Sequence, residues 1–318
     1  MRGHTALVTG VAHLPDGQRI ITCSHDGSLR LWEIESGTQI GDDWRDDGDH
    51  AAVCSIALSP NGKTVANGSM DGKVRLWDVE TEKVVARWTG CTHAVGSLCW
   101  SADGERVVSG SSDLTRVWDV KSGDTVLGPI KTGHDVAAVI YSPDTTKIAT
   151  GGVSDNGDAL KIWDAKTGNL LSTVKHNSYQ VSSLAWTSDQ KNLITGSHCS
   201  IRIFDTATWQ QIATLEGHTD HVNALSLLQN DRLLVSGSSD GTTHLWNLDT
   251  NLPVGPPLRH QAFVFRVAIS ADGKLLVTRW GDNNVYVWDI HDILEDTGLQ
   301  DILSIPDVGM NQSATLSC

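Results

Sequence analysis

The chain has 318 residues, a hydrophobic fraction of 39% and a formal net charge of −14, from 24 Lys+Arg against 38 Asp+Glu. That length and apolar content suffice for a buried core, while the acidic balance repels phosphate backbones and disfavours nucleic acid as the default partner. The six cysteines show neither a C-x-x-C spacing nor the paired framework of a small secreted scaffold, and no run of about 18 apolar residues occurs, so the composition predicts a cytoplasmic chain that does not enter a membrane.

In chain order, the first element follows His4 with the apolar run "VTGVAHL" and closes on "HDGSLRLWE" at 25 to 33. An acidic stretch, "GDDWRDDGDH", leads to His50, then "VCSIAL", a turn "SPNG", "TVANGS" and "MDGKVRLWD" at 70 to 78, with "TEKVVARW" behind it. His93 opens the next set ("VGSLCW", "SADG", "RVVSGS", "SDLTRVWD"), and His134 opens one with an enlarged turn, "GGVSDNGDALKIW". After His176 come "VSSLAW", "TSDQ" and "NLITGS"; His218 precedes "SDGTTHLWN", and His260 precedes "GDNNVYVWD". The aromatic residues that end the motifs, Trp32, Trp77, Trp118, Trp163, Phe204, Trp246 and Trp288, are spaced by 45, 41, 45, 41, 42 and 42 residues, and the histidines follow nearly the same period. A period in that range marks a repeat architecture. Within each copy, short β-branched runs between Gly, Asp, Asn and Pro predict four antiparallel strands rather than a helix, with a short turn near "HDILEDTG" as the one exception along the chain.

A Gly-His at one end and a Trp-Asp at the other, at a period near 42, resemble the WD-repeat family of β-propellers. The resemblance covers about residues 3 to 290 and implies an all-β, seven-bladed β-propeller with four antiparallel strands per blade, a single domain over 1–305 and a polar C-terminal tail over 306–318. It also implies a structural hydrogen-bond set in each blade: His4, Thr22, Asp26 and Trp32; His93, Ser109, Asp113 and Trp118; His218, Ser236, Asp240 and Trp246; His260, Thr278, Asp282 and Trp288. In the second repeat His50, Asp71 and Trp77 fill these roles, with Asn67 where the family favours Ser or Thr. In the fourth, Asp155 and Asp158 compete for one role. The fifth has Cys199 at the Asp position and Phe204 at the Trp position, so His176 is expected to lose its partner. Only Met1 to Gly3 precede His4, so the two ends are expected to meet without a shared strand, with "LQDILSI" (299 to 305) as the outer strand of the last blade.

Patterns that suggest chemistry have plainer readings. "GSSDG" at 237 to 241 fits a nucleophile-elbow string, but a strand follows where a helix is required. "NGKT" lacks the first glycine of a phosphate loop, and in the acidic stretch Arg45 stands where an ion ligand is needed, which favours a solvated loop. No zinc spacing, catalytic residue or cofactor motif stands out. Trp100 and Trp186 read as core, whereas Trp44, Trp88 and Trp209 fall on or beside outer strands with partial exposure. The resemblance implies a noncatalytic protein-protein interaction scaffold, such as the WD-repeat module of a larger signalling or defence-type protein, monomeric or part of a longer chain. Its partner-binding rim would hold His25, Met70, Ser112, His198, Ser239 and Trp280. The alternative from another class is a propeller enzyme or a glycan- or small-ligand-binding protein that uses the central channel. Substrate receptors of ubiquitin ligases often carry Arg two residues beyond the Trp-Asp pair, where this chain has Glu80, Lys121, Lys166 and His291.

Overall fold

A computed structural model describes residues 1–46, 50–112, 114–176, 178–281, 283–295 and 297–303. The first sheet contains β1 (Val8–His13), β2 (Arg19–Ser24), β3 (Leu29–Glu33) and β4 (Gln39–Trp44), and the second β5 (Val53–Leu58), β6 (Thr64–Ser69), β7 (Val74–Asp78) and β8 (Lys83–Trp88). The third comprises β9 (Ser97–Trp100), β10 (Arg106–Ser111), β11 (Leu114–Asp119) and β12 (Thr125–Lys131), and the fourth β13 (Asp135–Tyr141), β14 (Lys147–Val153), β15 (Leu160–Asp164) and β16 (Leu170–Val174). All are antiparallel meanders, and two local devices build them. Between the first two strands a side-chain oxygen closes the turn, as where Asn61 Oδ1 accepts the Lys63 N–H at 3.0 Å and the Ser59 hydroxyl at 2.8 Å. After the third strand, the Asp of the Trp-Asp pair caps the next turn: Asp78 Oδ1 accepts the Thr81 N–H at 2.7 Å and its hydroxyl at 2.8 Å. Asp164 and Asp205 repeat that geometry on Thr167 and Thr208, so these aspartates are spent on turns.

The expectation of seven separate blades is corrected here: the described strands form six sheets, hence six blades. Repeats five and six share one six-stranded sheet, made of β17 (Val181–Trp186), β18 (Asn192–Asp205), β19 (Gln211–Leu227), β20 (Leu233–Ser238), β21 (Thr242–Asn247) and β22 (Leu252–Arg259). The reason is local. In repeats one, two and six an Asp-Gly pair turns the chain, with the glycine in the left-handed region: Gly27 (φ 80°), Gly72 (φ 76°) and Gly241 (φ 79°). In repeat five Cys199 takes that conformation (φ 56°) without a glycine, and the strand runs on through it as β18. The linker that follows stays extended as well, so β19 continues from the outer edge of one repeat to the inner strand of the next, and His198 pairs directly with His221.

The sixth sheet has three strands, β23 (Val264–Ile269), β24 (Leu275–Trp280) and β25 (Val285–Asp289). It departs from the four-stranded expectation because β25 runs into a short helix, α1 (Ile290–Glu295), followed by a 3-10 turn at Gln300–Leu303. The segment expected to form its outer strand is therefore not extended as far as residue 303; residues 304, 305 and 306–318 lie outside the described residues. Leu294, Ile302 and Leu299 pack instead against Leu233, Val254 and Leu276.

The inner strands neighbour one another in the order β1, β5, β9, β13, β17, the C-terminal part of β19 and β23, which returns to β1. They surround a narrow channel of about 50 Å³, lined by Gly10, Gly96, Ser97, Ser182 and other small or apolar residues, with Arg266 as the charged member. Between the sheets lie the tryptophans. Trp100 is 1% exposed and donates Nε1–H to the Ala57 carbonyl of the preceding sheet at 3.0 Å. Trp44 and Trp88 are also buried, which corrects the expectation of exposure, because each ends an outer strand by folding onto another indole: Trp88 stacks on Trp118 at 5.6 Å, and Trp44 lies 6.2 Å from Trp77. The two chain ends meet through Met1, whose backbone N and O both bond to Val285, and through a shared cluster of Val8, Trp32, Val277 and Val285.

Candidate interaction rim

The hydrogen-bond sets fix the shape of the rim, and the structure assembles them unequally. In the first repeat His4 Nδ1 lies 2.8 Å from Asp26 Oδ2 and Nε2 2.8 Å from the Thr22 hydroxyl, which also accepts Trp32 Nε1–H at 2.8 Å. The sixth repeats it, with His218 2.8 Å from Asp240 and 2.7 Å from Ser236, and Trp246 2.8 Å from the same serine. Burial alone would raise both aspartate pKa values. The bonds from His4 and Ser28, and from His218 and Thr242, outweigh it and hold both carboxyls well below the usual range.

In the other repeats the sets are only partly drawn together. Trp118 bonds Ser109 at 2.9 Å, but His93 is exposed and bonds Thr92, because two residues earlier Cys91 sits at the His position. Trp288 bonds Thr278 at 2.9 Å, whereas His260 turns to Thr243 of the preceding repeat at 3.0 Å. Asp113 and Asp282 lie outside the described residues. His50 is exposed and takes no part in its set; Trp77 bonds Asn67 at 2.6 Å, and Asp71 and Asp46 converge on the buried Arg75, each at 2.8 Å. His176 does not lose its partners: its Nε2 lies 2.7 Å from Thr195, and Arg202 reaches its Nδ1 at 3.0 Å and its carbonyl. Arg202 thus faces the histidine from the side the aspartate takes in the first and sixth repeats.

The rim residues follow from the same meander. His25, Met70, Ser112, Ser239 and Trp280 end or directly follow the second strand of their repeats, and His198 occupies the equivalent place within β18. There the chain is tied back to the linker before the inner strand: His25 N–H to Leu7 O (2.9 Å), Met70 N–H to Ala52 O (2.8 Å) and Ser239 N–H to His221 O (2.9 Å). These positions therefore share one end of the ring. Met70 is 58% exposed and His198 is exposed, whereas Ser112 and Ser239 are half-buried and Trp280 is half-buried and stacked on Tyr286 at 4.9 Å.

Sequence reasoning passed over the facing linker residues. Tyr179, His221 and Phe263 stand at one repeat position, 42 residues apart, in three successive repeats. Tyr179 and Phe263 are about half exposed; the Tyr179 hydroxyl lies 2.8 Å from His221 Nε2, and the His198 and His221 rings are 4.7 Å apart. Beside Phe263, Phe265 carries the Arg279 guanidinium 4.7 Å above its ring. The signal was available: three residues after the repeat histidine, aromatic side chains recur in the last three repeats only.

A β-propeller of sequential four-stranded meanders, with a His-Asp-Ser/Thr-Trp set inside the blades, defines a class of repeat protein. The chain belongs to the WD-repeat β-propellers: the family model of the IFT122 first beta-propeller matches residues 45–289, and that of the WD domain, G-beta repeat, matches residues 1–33. Among curated proteins it is similar to a periodic tryptophan protein 2 homolog of Neurospora crassa (29% identity over 31% of this chain and 11% of that protein) and to the nuclear distribution protein nudF of Aspergillus niger (32% over 30% and 22%). It is also similar to human DDB1- and CUL4-associated factor 10 (36% over 30% and 17%). The matches thus span less than a quarter of each relative's length. No helix among the described residues is long and apolar enough to cross a membrane.

Proposed function

We propose that this chain is a noncatalytic protein-interaction platform that receives a protein partner on the rim bearing His25, Met70, Ser112, His198, Ser239 and Trp280, with Tyr179 and Phe263 as its anchors. The observation that carries the reading is the arc over the last three repeats of the exposed Tyr179 and Phe263 with the half-buried His221 between them, on and beside the linkers that enter the inner strands. Aromatic area with a polar handle is what concentrates binding energy at interfaces. A module of a larger signalling or defence-type protein agrees with relatives that carry the matched repeats as a small share of their length. The human relative's name records association with DDB1 and CUL4, but the Trp-Asp pairs here are followed by Glu80, Lys121, Lys166 and His291 in place of arginine, so we do not extend that assembly to this chain.

The channel alternative has less support. The narrow part holds about 50 Å³ and the wider part beside His13 about 210 Å³, both below the 300 to 1,000 Å³ typical of ligand sites, and no carboxylate lines either among the described residues. The test compares partners captured from a native extract by the unaltered chain with those held by a Met70→Ala, Tyr179→Ala, Phe263→Ala variant of unchanged circular dichroism. Selective loss of partners supports the rim. Retention of every partner refutes it.

A further inference from the structure

We propose that His198, Asp220 and His221 form a binding site for a divalent transition-metal ion of the zinc class, at the point where the fifth repeat departs from the family pattern. His198 and His221 are directly opposed residues of β18 and β19, and such cross-strand partners project their side chains to one face. Their rings stand 4.7 Å apart at 84°, a right-angled approach of two imidazoles rather than a stack. One potential ligand atom from each of His198, Asp220 and His221 lies within 4.8 Å of the others. Ligand atoms around a four-coordinate zinc stand about 3.3 Å apart, given metal-ligand bonds of about 2.0 to 2.1 Å. Closing the remaining gap needs only small side-chain rotations, and the setting allows them: His198 is exposed and Asp220 and His221 are half-buried.

The hydrogen bonds around His221 prepare it for this role. Asp220 Oδ1 accepts from the His221 backbone N–H and from its Nδ1, each at 2.7 Å, which places the ring hydrogen on Nδ1. The Nε2 lone pair then faces the Tyr179 hydroxyl at 2.8 Å. A metal that joins His221 to Asp220 takes the place of the hydrogen on Nδ1; by exchange with solvent the neutral ring then carries its hydrogen on Nε2 and donates it to the Tyr179 hydroxyl oxygen. Both histidines bind a metal as neutral imidazoles. Asp220 supplies the carboxylate oxygen. Two imidazoles and one carboxylate suit zinc and its first-row neighbours rather than calcium or magnesium, which want oxygen alone. None of these contacts fills the core, so packing does not account for the cluster.

The experiment is a titration of the full chain with cobalt(II), read by visible absorption, and with zinc, read by calorimetry, on the unaltered protein and on His198→Ala, His221→Ala and Tyr179→Phe. Circular dichroism and thermal melting without metal establish that each variant folds. The expected result is one equivalent bound with the intense visible bands of four-coordinate cobalt. Either histidine substitution should weaken binding at least about tenfold, and Tyr179→Phe, which removes the partner of His221 Nε2, should weaken it less. Absence of the cobalt bands, or unchanged zinc affinity in both histidine variants, overturns the proposal.

Discussion

Met1 and Val285 exchange both of their backbone hydrogen bonds, at 2.9 and 3.3 Å, so a single residue at the N-terminus pairs with the free edge of β25. Between the inner strands β1 and β23 of the same two sheets, the His13 ring lies 3.2 Å from the Ala268 carbonyl and Arg266 donates to the Thr9 carbonyl at 3.1 Å. Deletion of residues 1–3 removes both backbone bonds and is expected to lower stability by about 1 to 3 kcal/mol. Hydrogen exchange should then rise first in β1 and β25. Unchanged exchange in both strands would show that the side-chain cluster alone closes the ring.

Thr22 serves two masters, accepting from Trp32 and bonding His4, and all three are buried. Thr22→Val keeps the volume and leaves both ring nitrogens unsatisfied, so we expect a loss of about 2 kcal/mol in denaturant unfolding. Thr5→Ala keeps the Thr5 N–H bond to Asp26 and should leave stability within about 0.5 kcal/mol of the unaltered chain.

Asp46 is 6% exposed and receives Arg75 at 2.8 Å as well as Arg87. Asp46→Ala strips one carboxylate from a buried guanidinium that retains Asp71, and the expected cost is about 3 kcal/mol, the low end for breaking a buried ion pair. Replacing Asp71, whose side chain is 22% exposed, should cost less; the reverse order would relocate the weight of the network.

Burial lowers the pKa of His134 to about 4, with Lys161 adding to it, and that of His176 to about 3, with Arg202 adding to it; burial also takes His260 down to about 4. Each is neutral when folded and takes up a proton near pH 6.5 when unfolded, so the unfolded state binds more protons below that pH. Their contribution is present above about pH 6.5 and is lost progressively as the pH falls toward 4 and 3. Unfolding midpoints should therefore drop through that window, before the low-lying Asp26 and Asp240 begin to titrate. His176→Gln should flatten the slope. A midpoint constant from pH 7 to 4.5 would contradict this account.

How much of this was legible in the sequence follows from what a period can report. The spacing of Trp and His locates the meanders because each blade needs the same turns and the same buried ring, and "HDG" and "SDG" announce the complete sets around His4 and His218. The period is blind to substitutions of one residue by its neighbour. Cys91 stands at the His position while His93, two residues on, imitates the pattern, and Arg202 approaches His176 from a residue that reads as an ordinary strand position. The fusion of repeats five and six rests on the extended linker that makes β19 continuous, and the positive φ at Cys199 merges two strands of repeat five into β18; spacing encodes neither. The arc of Tyr179, His221 and Phe263 was readable but needed the linkers to be aligned rather than the motifs.

The continuity of β18 and β19 also changes how the ring would bear load. β19, shared by repeats five and six, must be sheared from β18 and β20 along its length before either repeat can come away, whereas the seam at Met1 opens two hydrogen bonds at a time. Under tension applied at its ends, the molecule should peel from its first and last sheets inward and keep the double sheet as a lasting knot, so a partner gripping Tyr179 and His198 would hold the portion of the ring that yields last.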